Sequence, residues 1–158
     1  MNNKELLKRW GENTAYSAKT HFKMSDFNRY WIYSLIVVNL TFAIFSVLEF
    51  GEKYVLAAKI FSLTSLLASI LILIHESRSN RQVASTNKEI GELYLALHYD
   101  IERLFAKKRV SNEEVDEIKN KITALNTSMK PSVNFIAKFW ATRAIENKGE
   151  MHKWWKDD

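Results

Sequence analysis

The chain has 158 residues, of which 47% are apolar and 13% aromatic, and its formal net charge is +5. Because it contains no cysteine, a disulfide framework and a thiolate metal site are both excluded. The mean hydropathy of −0.24 indicates that the apolar residues are concentrated in one part of the chain, and only four glycines and one proline predict long helices. We expect an all-α protein.

The N-terminal segment, residues 1–29, is predicted to be cytosolic and amphipathic. It holds six Lys/Arg against three acidic residues, whereas residues 75–158 hold fifteen against thirteen. Most of the positive charge therefore precedes the first apolar run, where it suits an anionic membrane surface. A nucleic-acid module would more often carry its charge on one soluble face, so we expect no direct binding of nucleic acid.

The first apolar run extends from Tyr30 to Leu48 and contains nineteen consecutive uncharged residues. At about 1.5 Å per residue, a helix of this length spans a hydrocarbon core of roughly 30 Å. Ser25 is predicted to cap the start of this helix, with Asp26 in its first turn. Aromatic residues at one end form an expected interface belt: Tyr30, Trp31 and Tyr33.

A second apolar run, from Tyr54 to Ile74, contains one charge, Lys59, whose long stem can reach the interface. The turn of residues 49–53 permits only an antiparallel pair, so residues 30–74 are predicted to form a two-helix transmembrane hairpin. A signal peptide fits poorly, because the first run is too long and a second span follows at once. A buried helical hairpin of a soluble protein is the other alternative.

The basic residues near the hairpin predict its orientation. Six Lys/Arg flank the outer ends of the two runs, whereas the turn carries Lys53 alone. Positive charge is retained on the cytoplasmic side of a membrane. We therefore expect a multi-pass membrane protein with both termini in the cytoplasm.

In the cytosolic region, residues 75–158, apolar residues recur at three- and four-residue steps along two predicted helices. The first continues out of the second span, and Ser111 with Glu114 predicts a capping box at the start of the second. We expect the two stripes to bury each other and to contact neighbouring subunits in a helical bundle or coiled-coil extension. They consist of Ile90, Tyr94, Leu97, Ile101 and Leu104, and of Val115, Ile118, Ile122 and Leu125.

The last part of the chain is predicted to contain one more helix, which begins at Pro131 and packs on the hairpin or on the bilayer surface. The tail from Gly149 carries Trp154 and Trp155 among charged residues. That composition suits a membrane interface, and a docked or frayed end fits it equally well.

The sequence offers no active site. No phosphate-binding loop, paired-histidine motif or nucleophile elbow occurs, and the four histidines lie in unrelated segments. We therefore expect no catalytic residue, no metal and no cofactor, and a protein that is not an enzyme. An enzyme has no positive support in the sequence.

Polar residues inside the apolar runs are the candidate site. On an ideal helix the three serines of the second run fall within roughly 60° of one another, and two polar residues of the first run share a face. Small polar residues let helices approach and form hydrogen bonds, and in an oligomer they can also line a pore. Packing is the favoured interpretation, because one hairpin cannot enclose a channel. The residues are Ser62, Ser65 and Ser69, with Asn39 and Ser46.

The arrangement resembles the SLATT proteins, two-transmembrane effectors of bacterial conflict systems. The resemblance covers the polar lead LLKRWGENTAYSAKTHFKMSDFNRYW, the hairpin and the helix ESRSNRQVASTNKEIGELYLALHYDIERL. It implies an effector that oligomerises and breaches the inner membrane, killing or arresting an infected cell. The trigger is a partner sensor, often a nucleotide-signalling enzyme or a reverse transcriptase. No residue-level site comes with the resemblance.

We therefore expect a homo-oligomeric membrane effector that forms pores or disrupts the inner membrane to cause abortive infection. Because the sequence shows no recognisable sensor domain, the trigger is expected to act in trans. The alternative is a membrane-anchored scaffold that recruits a soluble partner and conducts nothing.

Overall fold

The computed structural model of the chain describes residues 2–47, 55–75 and 78–156. Every regular element in these ranges is helical, so the predicted all-α class is confirmed. Leu48, the predicted turn of residues 49–53 and Tyr54 lie outside the described residues. The elements are α1 (Asn3–Val47), α2 (Val55–His75), α3 (Arg78–Phe105), α4 (Asn112–Thr127), α5 (Phe135–Glu146) and a short 3₁₀ helix (Trp154–Lys156).

Helix α1 continues without interruption from Asn3 to Val47 and passes through Ser25. The predicted helix start at Ser25 is therefore wrong. A serine caps a helix only where its own backbone is extended rather than helical. Here the preceding residues are held in the helix because Ala15 and Ala18 are buried among other helices. One helix thus replaces the predicted amphipathic segment and the separate first span.

The chain divides into two compact units. Unit 1 comprises Met1–Ser25 and Ser85–Asp158, so it combines most of the two segments that are predicted to be cytosolic. Unit 2 comprises Asp26–Ala84, which contains both apolar runs.

The core of unit 1 is formed by α1, α3, α4, α5 and the C-terminal segment together. Both predicted stripes contribute to it, and α1 supplies a third apolar face, which the sequence pattern does not predict. Ile122 and Leu125 are partly buried and pack against the core. The buried cluster consists of Leu7, Ala15, Leu97, Ile101, Leu104, Ile118, Ile145, Met151, Trp154 and Trp155, and an adjoining cluster of Ala18, Ile90 and Tyr94.

Helix caps position α4 and α5. The predicted capping box is confirmed: the Ser111 hydroxyl accepts from the Glu114 N–H at 3.2 Å, and the Glu114 carboxylate accepts from the Ser111 N–H at 3.0 Å. The predicted start of the last helix at Pro131 is wrong, because α5 begins at Phe135. Asn134 caps it, with an extended backbone and a side-chain oxygen that accepts a helical N–H at 2.8 Å.

The C-terminal segment docks into the core through Trp154. Its indole N–H donates to His98 Nε2 at 3.2 Å, and His98 Nδ1 lies 2.9 Å from the carbonyl oxygen of Gly11. A carbonyl only accepts, so Nδ1 carries the hydrogen and His98 is neutral. The ring of Trp154 lies where a Cβ on Gly11 would come within 2.3 Å of it, so only glycine gives the ring room. Of the alternatives for the tail, the structure shows the docked one.

Charged side chains fasten the same segment from outside. Glu146 accepts hydrogen bonds from Tyr16, from Lys153 at 2.9 Å and from Lys156 at 3.1 Å. These bonds hold the pKa of Glu146 at about 2, while burial and the adjacent carboxylate raise the pKa of Tyr16 to about 12. Glu150 adds ion pairs of 3.0 and 3.5 Å to two lysines of α1. The C-terminal segment is therefore held to both α1 and α5.

The contact at Gly11 makes a testable prediction. In an open helix Gly→Ala is stabilising by about 1 kcal/mol, but here the added methyl collides with Trp154. We expect Gly11→Ala to destabilise the protein by roughly 1–3 kcal/mol, as overpacked cores do. Chemical denaturation of the full chain in detergent micelles measures the change. Asn13→Ala, at an exposed position of α1, serves as the control and should not be destabilising. Equal stability of Gly11→Ala and the parent protein would contradict the close contact.

His98 makes a second prediction, which concerns pH. Burial lowers the pKa of His98 below its usual value of 6.5, so the unfolded chain binds the proton more readily than the folded chain does. The stabilisation is therefore complete above about pH 6.5 and declines as the pH falls below that value. We expect a lower melting temperature at pH 5 than at pH 7.5.

Two variants test whether His98 causes this loss of stability at low pH. His98→Gln should show less of the decline, and His152→Gln, at an exposed histidine, should keep it. Because burial also lowers the pKa of His21, part of the decline should survive in His98→Gln. An unchanged pH profile in His98→Gln would show that His98 is not responsible.

Candidate functional site

In unit 2, α1 and α2 lie against each other in antiparallel order. Asn39 of α1 contacts α2 at Ser65 and Ser69, whereas Phe42, later in α1, stacks on Phe61, earlier in α2, at 5.5 Å between ring centroids. Residues later in α1 thus contact residues earlier in α2. The apolar segment of α1 and α2 therefore form an antiparallel pair.

A chain of three hydrogen bonds forms the polar centre of this pair. Ser65 Oγ donates to Asn39 Oδ1 at 2.6 Å, Asn39 Nδ2 donates to Ser69 Oγ at 2.9 Å, and Ser69 Oγ donates to the carbonyl of Ser65 at 3.0 Å. An unsatisfied polar group costs several kcal/mol in hydrocarbon, so three polar side chains are tolerable here because they satisfy one another. The cluster fixes one register between the two helices.

The structure does not bring all of the candidate residues together. Ser62 is exposed, although on a helical wheel it lies close to Ser69. One and a half to two turns separate these residues along the axis, and at the level of Ser62 the aromatic ring of Phe61 occupies the contact with α1. The side chain of Ser46 lies outside the described residues. The polar cluster thus contains Asn39, Ser65 and Ser69.

Around this cluster, unit 2 exposes most of its large apolar side chains. Among its residues with described side chains, Ala68 alone is buried. The apolar surface of this pair is therefore not buried within the described part of the chain, as it would be in a core helix. The exposed residues include Tyr30, Trp31, Tyr33, Ile36, Val37, Leu40 and Ile44 of α1, and Leu56, Ile60, Leu63, Leu66, Leu67, Leu71, Leu73 and Ile74 of α2.

The residues predicted as a cytosolic assembly stripe lie inside unit 1. Seven of them are buried and two are partly buried, all against elements of the same chain. A neighbouring subunit could therefore reach the seven buried residues only if unit 1 opened, and contacts between subunits through the stripe remain a prediction. Large apolar residues of α3 that remain exposed are Leu93 and Tyr99.

Two buried histidines were not recognised in the sequence as packing residues. His21 Nδ1 lies 2.8 Å from Asn87 Oδ1, and its ring stacks on Tyr94. Burial lowers the pKa of His21, as it does for His98. Among the described residues, no three His, Asp or Glu side chains lie close enough together to hold a metal ion.

The polar cluster makes a prediction with a matched control. Ser65→Leu should force the two helices apart and remove the bond to Asn39, whereas Ser62→Leu adds the same bulk at an exposed position. Interhelical hydrogen bonds in membranes average about 0.6 kcal/mol, and overpacking adds roughly 1–3 kcal/mol. We expect only Ser65→Leu to be destabilising during unfolding in mixed micelles with sodium dodecyl sulfate. Equal effects of the two leucines would disprove the contact.

One helix in the described part of the chain is long and apolar enough to cross a membrane. It covers Val55–Ile74, with a mean hydropathy of 2.1, and 6% of that segment is buried. The described part of the first predicted run ends at Val47, and the two-span hairpin remains a prediction. Comparison with known proteins finds no matching family model, no matching curated protein and no matching solved structure.

Proposed function

We propose that this chain is a homo-oligomeric protein of the bacterial inner membrane whose apolar hairpin permeabilises the bilayer. The observation that carries the proposal is the exposed apolar surface of unit 2. A helix of a soluble core is mostly buried, whereas 6% of Val55–Ile74 is buried. Hydrocarbon is the solvent in which such a surface is stable.

The polar contacts of unit 2 support a hairpin with two spans. In a bilayer, helix pairs associate through close packing and interhelical hydrogen bonds rather than through the hydrophobic effect. The cluster around Asn39 provides such bonds, and its polar groups are turned inward while the apolar groups are turned outward. The excess of Lys/Arg outside the turn favours both termini in the cytoplasm.

Pore formation requires several copies, because two helices cannot enclose a channel. The side chains of the polar cluster form hydrogen bonds with one another inside the hairpin. Any pore would therefore be lined by other polar groups. Ser62 and Lys59 are exposed and lie one turn apart on the same side of α2. Ser34 and Thr41 are exposed on α1, and the Thr41 hydroxyl donates to its own helix at 2.8 Å. These four side chains are the candidates for a pore wall.

The resemblance to SLATT effectors supports a biological setting for this activity. In that setting the hairpin breaches the membrane of an infected cell and causes abortive infection. The trigger would come in trans from a partner sensor, such as a nucleotide-signalling enzyme or a reverse transcriptase. The protein itself would need no catalytic residue.

A second candidate function is a membrane-anchored scaffold that recruits a soluble partner and conducts nothing. One observation favours it: three of the polar side chains inside the apolar segments are used to hold the hairpin together. Unit 1 would then act as the recruiting domain.

Release of a trapped dye from phospholipid vesicles tests the proposal, with two variants that change equally exposed leucines. Leu66 in α2 is 58% exposed and Leu93 in α3 is 56% exposed. If α2 spans the bilayer, Leu66→Asp places a charge in hydrocarbon at a cost of about 2.5–3.5 kcal/mol. We expect the parent protein and Leu93→Asp to insert and to release dye, and Leu66→Asp to do neither.

Vesicle flotation, measured on the same samples, separates the alternatives. Insertion without dye release would favour the scaffold. Equal flotation of Leu66→Asp and Leu93→Asp would show that α2 does not span the bilayer and would overturn the membrane assignment.

A further inference from the structure

Helix α5 buries small side chains and exposes large ones. Its inner face consists largely of alanines, Ala137, Ala141 and Ala144, which are buried in unit 1. On the opposite face Phe135 is 77% exposed and Phe139, one turn later, is 58% exposed. A helix that faced only water would gain nothing from two phenylalanines on its outer side. The outer face of α5 is therefore an unpartnered apolar surface.

The segment around this face has a one-sided charge. From Met129 to Ile145 the sequence contains Lys130, Lys138 and Arg143 and no acidic residue. Lys138 and Arg143 form no ion pair with any described residue. Lys130 is directed inward, since it donates to Asn126 at 3.1 Å and lies over the ring of Tyr94. The exposed phenylalanines are thus accompanied by two cations that no carboxylate in the described part of the chain pairs with.

We propose that the outer face of α5 lies on the surface of an anionic bilayer. Phe135 and Phe139 would enter the boundary between headgroups and acyl chains, and Lys138 and Arg143 would contact lipid phosphates. Aromatic residues beside Lys/Arg are the usual composition of helices that lie in a membrane interface.

Charge argues against a second copy as the occupant. If this face met itself across a twofold axis, Lys138 and Arg143 would approach the same cations without a carboxylate to pair with them.

Spin labelling of the full chain in vesicles tests this inference, which rests on the proposed membrane location. Because the chain has no cysteine, Thr142→Cys places one label on the outer face and leaves both phenylalanines intact. Lys119→Cys on α4 is a control in water, and Leu40→Cys in the apolar run is a control in the membrane. The measurement compares collisions of each label with oxygen and with a water-soluble nickel complex.

In vesicles of phosphatidylcholine with phosphatidylglycerol, we expect the ratio of oxygen to nickel accessibility at 142 to exceed that at 119 several-fold. Phe135→Ser combined with Phe139→Ser should return the ratio to that of the water control, and phosphatidylcholine alone should reduce it. Both serines replace exposed residues, so the melting temperature should not change.

Three results would overturn the inference. The ratio of oxygen to nickel accessibility at 142 could equal that at 119 while the label at 40 is protected from nickel. This result would rule out contact of α5 with the bilayer and would leave the membrane location of the hairpin unaffected. The label at 142 could show spin–spin broadening that disappears on dilution with unlabelled protein, which would indicate contact between copies. A label at 40 that is as accessible to nickel as the one at 119 would instead refute the membrane location itself.

Discussion

The seating of Trp154 against Gly11 and His98 is the contact on which unit 1 depends. It joins the N-terminal part of α1, the C-terminal half of α3 and the C-terminal segment of the chain, which are far apart in the sequence. The indole ring brings a large apolar area into the core and needs one acceptor for its N–H, which the neutral imidazole supplies. Gly11 gives it space, and the carboxylates Glu146 and Glu150 hold the segment that delivers it.

Unit 2 is organised by the opposite physical rule. Unit 1 buries its apolar residues and exposes its charges, whereas unit 2 places a partly buried amide and two partly buried hydroxyls between its helices and exposes Leu, Ile, Val and Phe. In water this arrangement would be unfavourable, and in lipid it is the favourable one, because only the polar groups need to be shielded. Asn39 then favours one register of the two helices, since sliding either helix by one turn would leave its amide with one serine partner instead of two.

Much of the architecture follows from sequence periodicity, and the remainder depends on contacts that periodicity does not encode. The apolar steps along α3 and α4 and the pair Ser111 and Glu114 predict the two helices and the cap that the structure contains. The continuity of α1 was missed because Ser25 followed by Asp26 looks like a helix start. The spacing of Leu7, Ala15 and Ala18 is the signal that the earlier residues belong to a buried helix face.

The candidate site was predictable in composition but not in pairing. Polar residues inside an apolar run stand out in any sequence, so Asn39, Ser65 and Ser69 could be named. Which of them meet depends on the register of the hairpin, and the exposure of Ser62 depends on the ring of Phe61 beside it. The contact between Gly11, His98 and Trp154 has no sequence pattern that could predict it, because it joins single residues from three distant segments.

The shared core of Leu7 and Trp154 also orders events during synthesis. At roughly 5–20 residues per second, on the order of ten seconds or more passes between the appearance of the first and the second. Throughout that interval the apolar side of the early α1 turns has no partner, while both apolar runs have already left the ribosome. In the proposed membrane setting, insertion of the hairpin would therefore precede closure of the helical unit, and a nascent chain that stalls before Trp154 would be anchored but open.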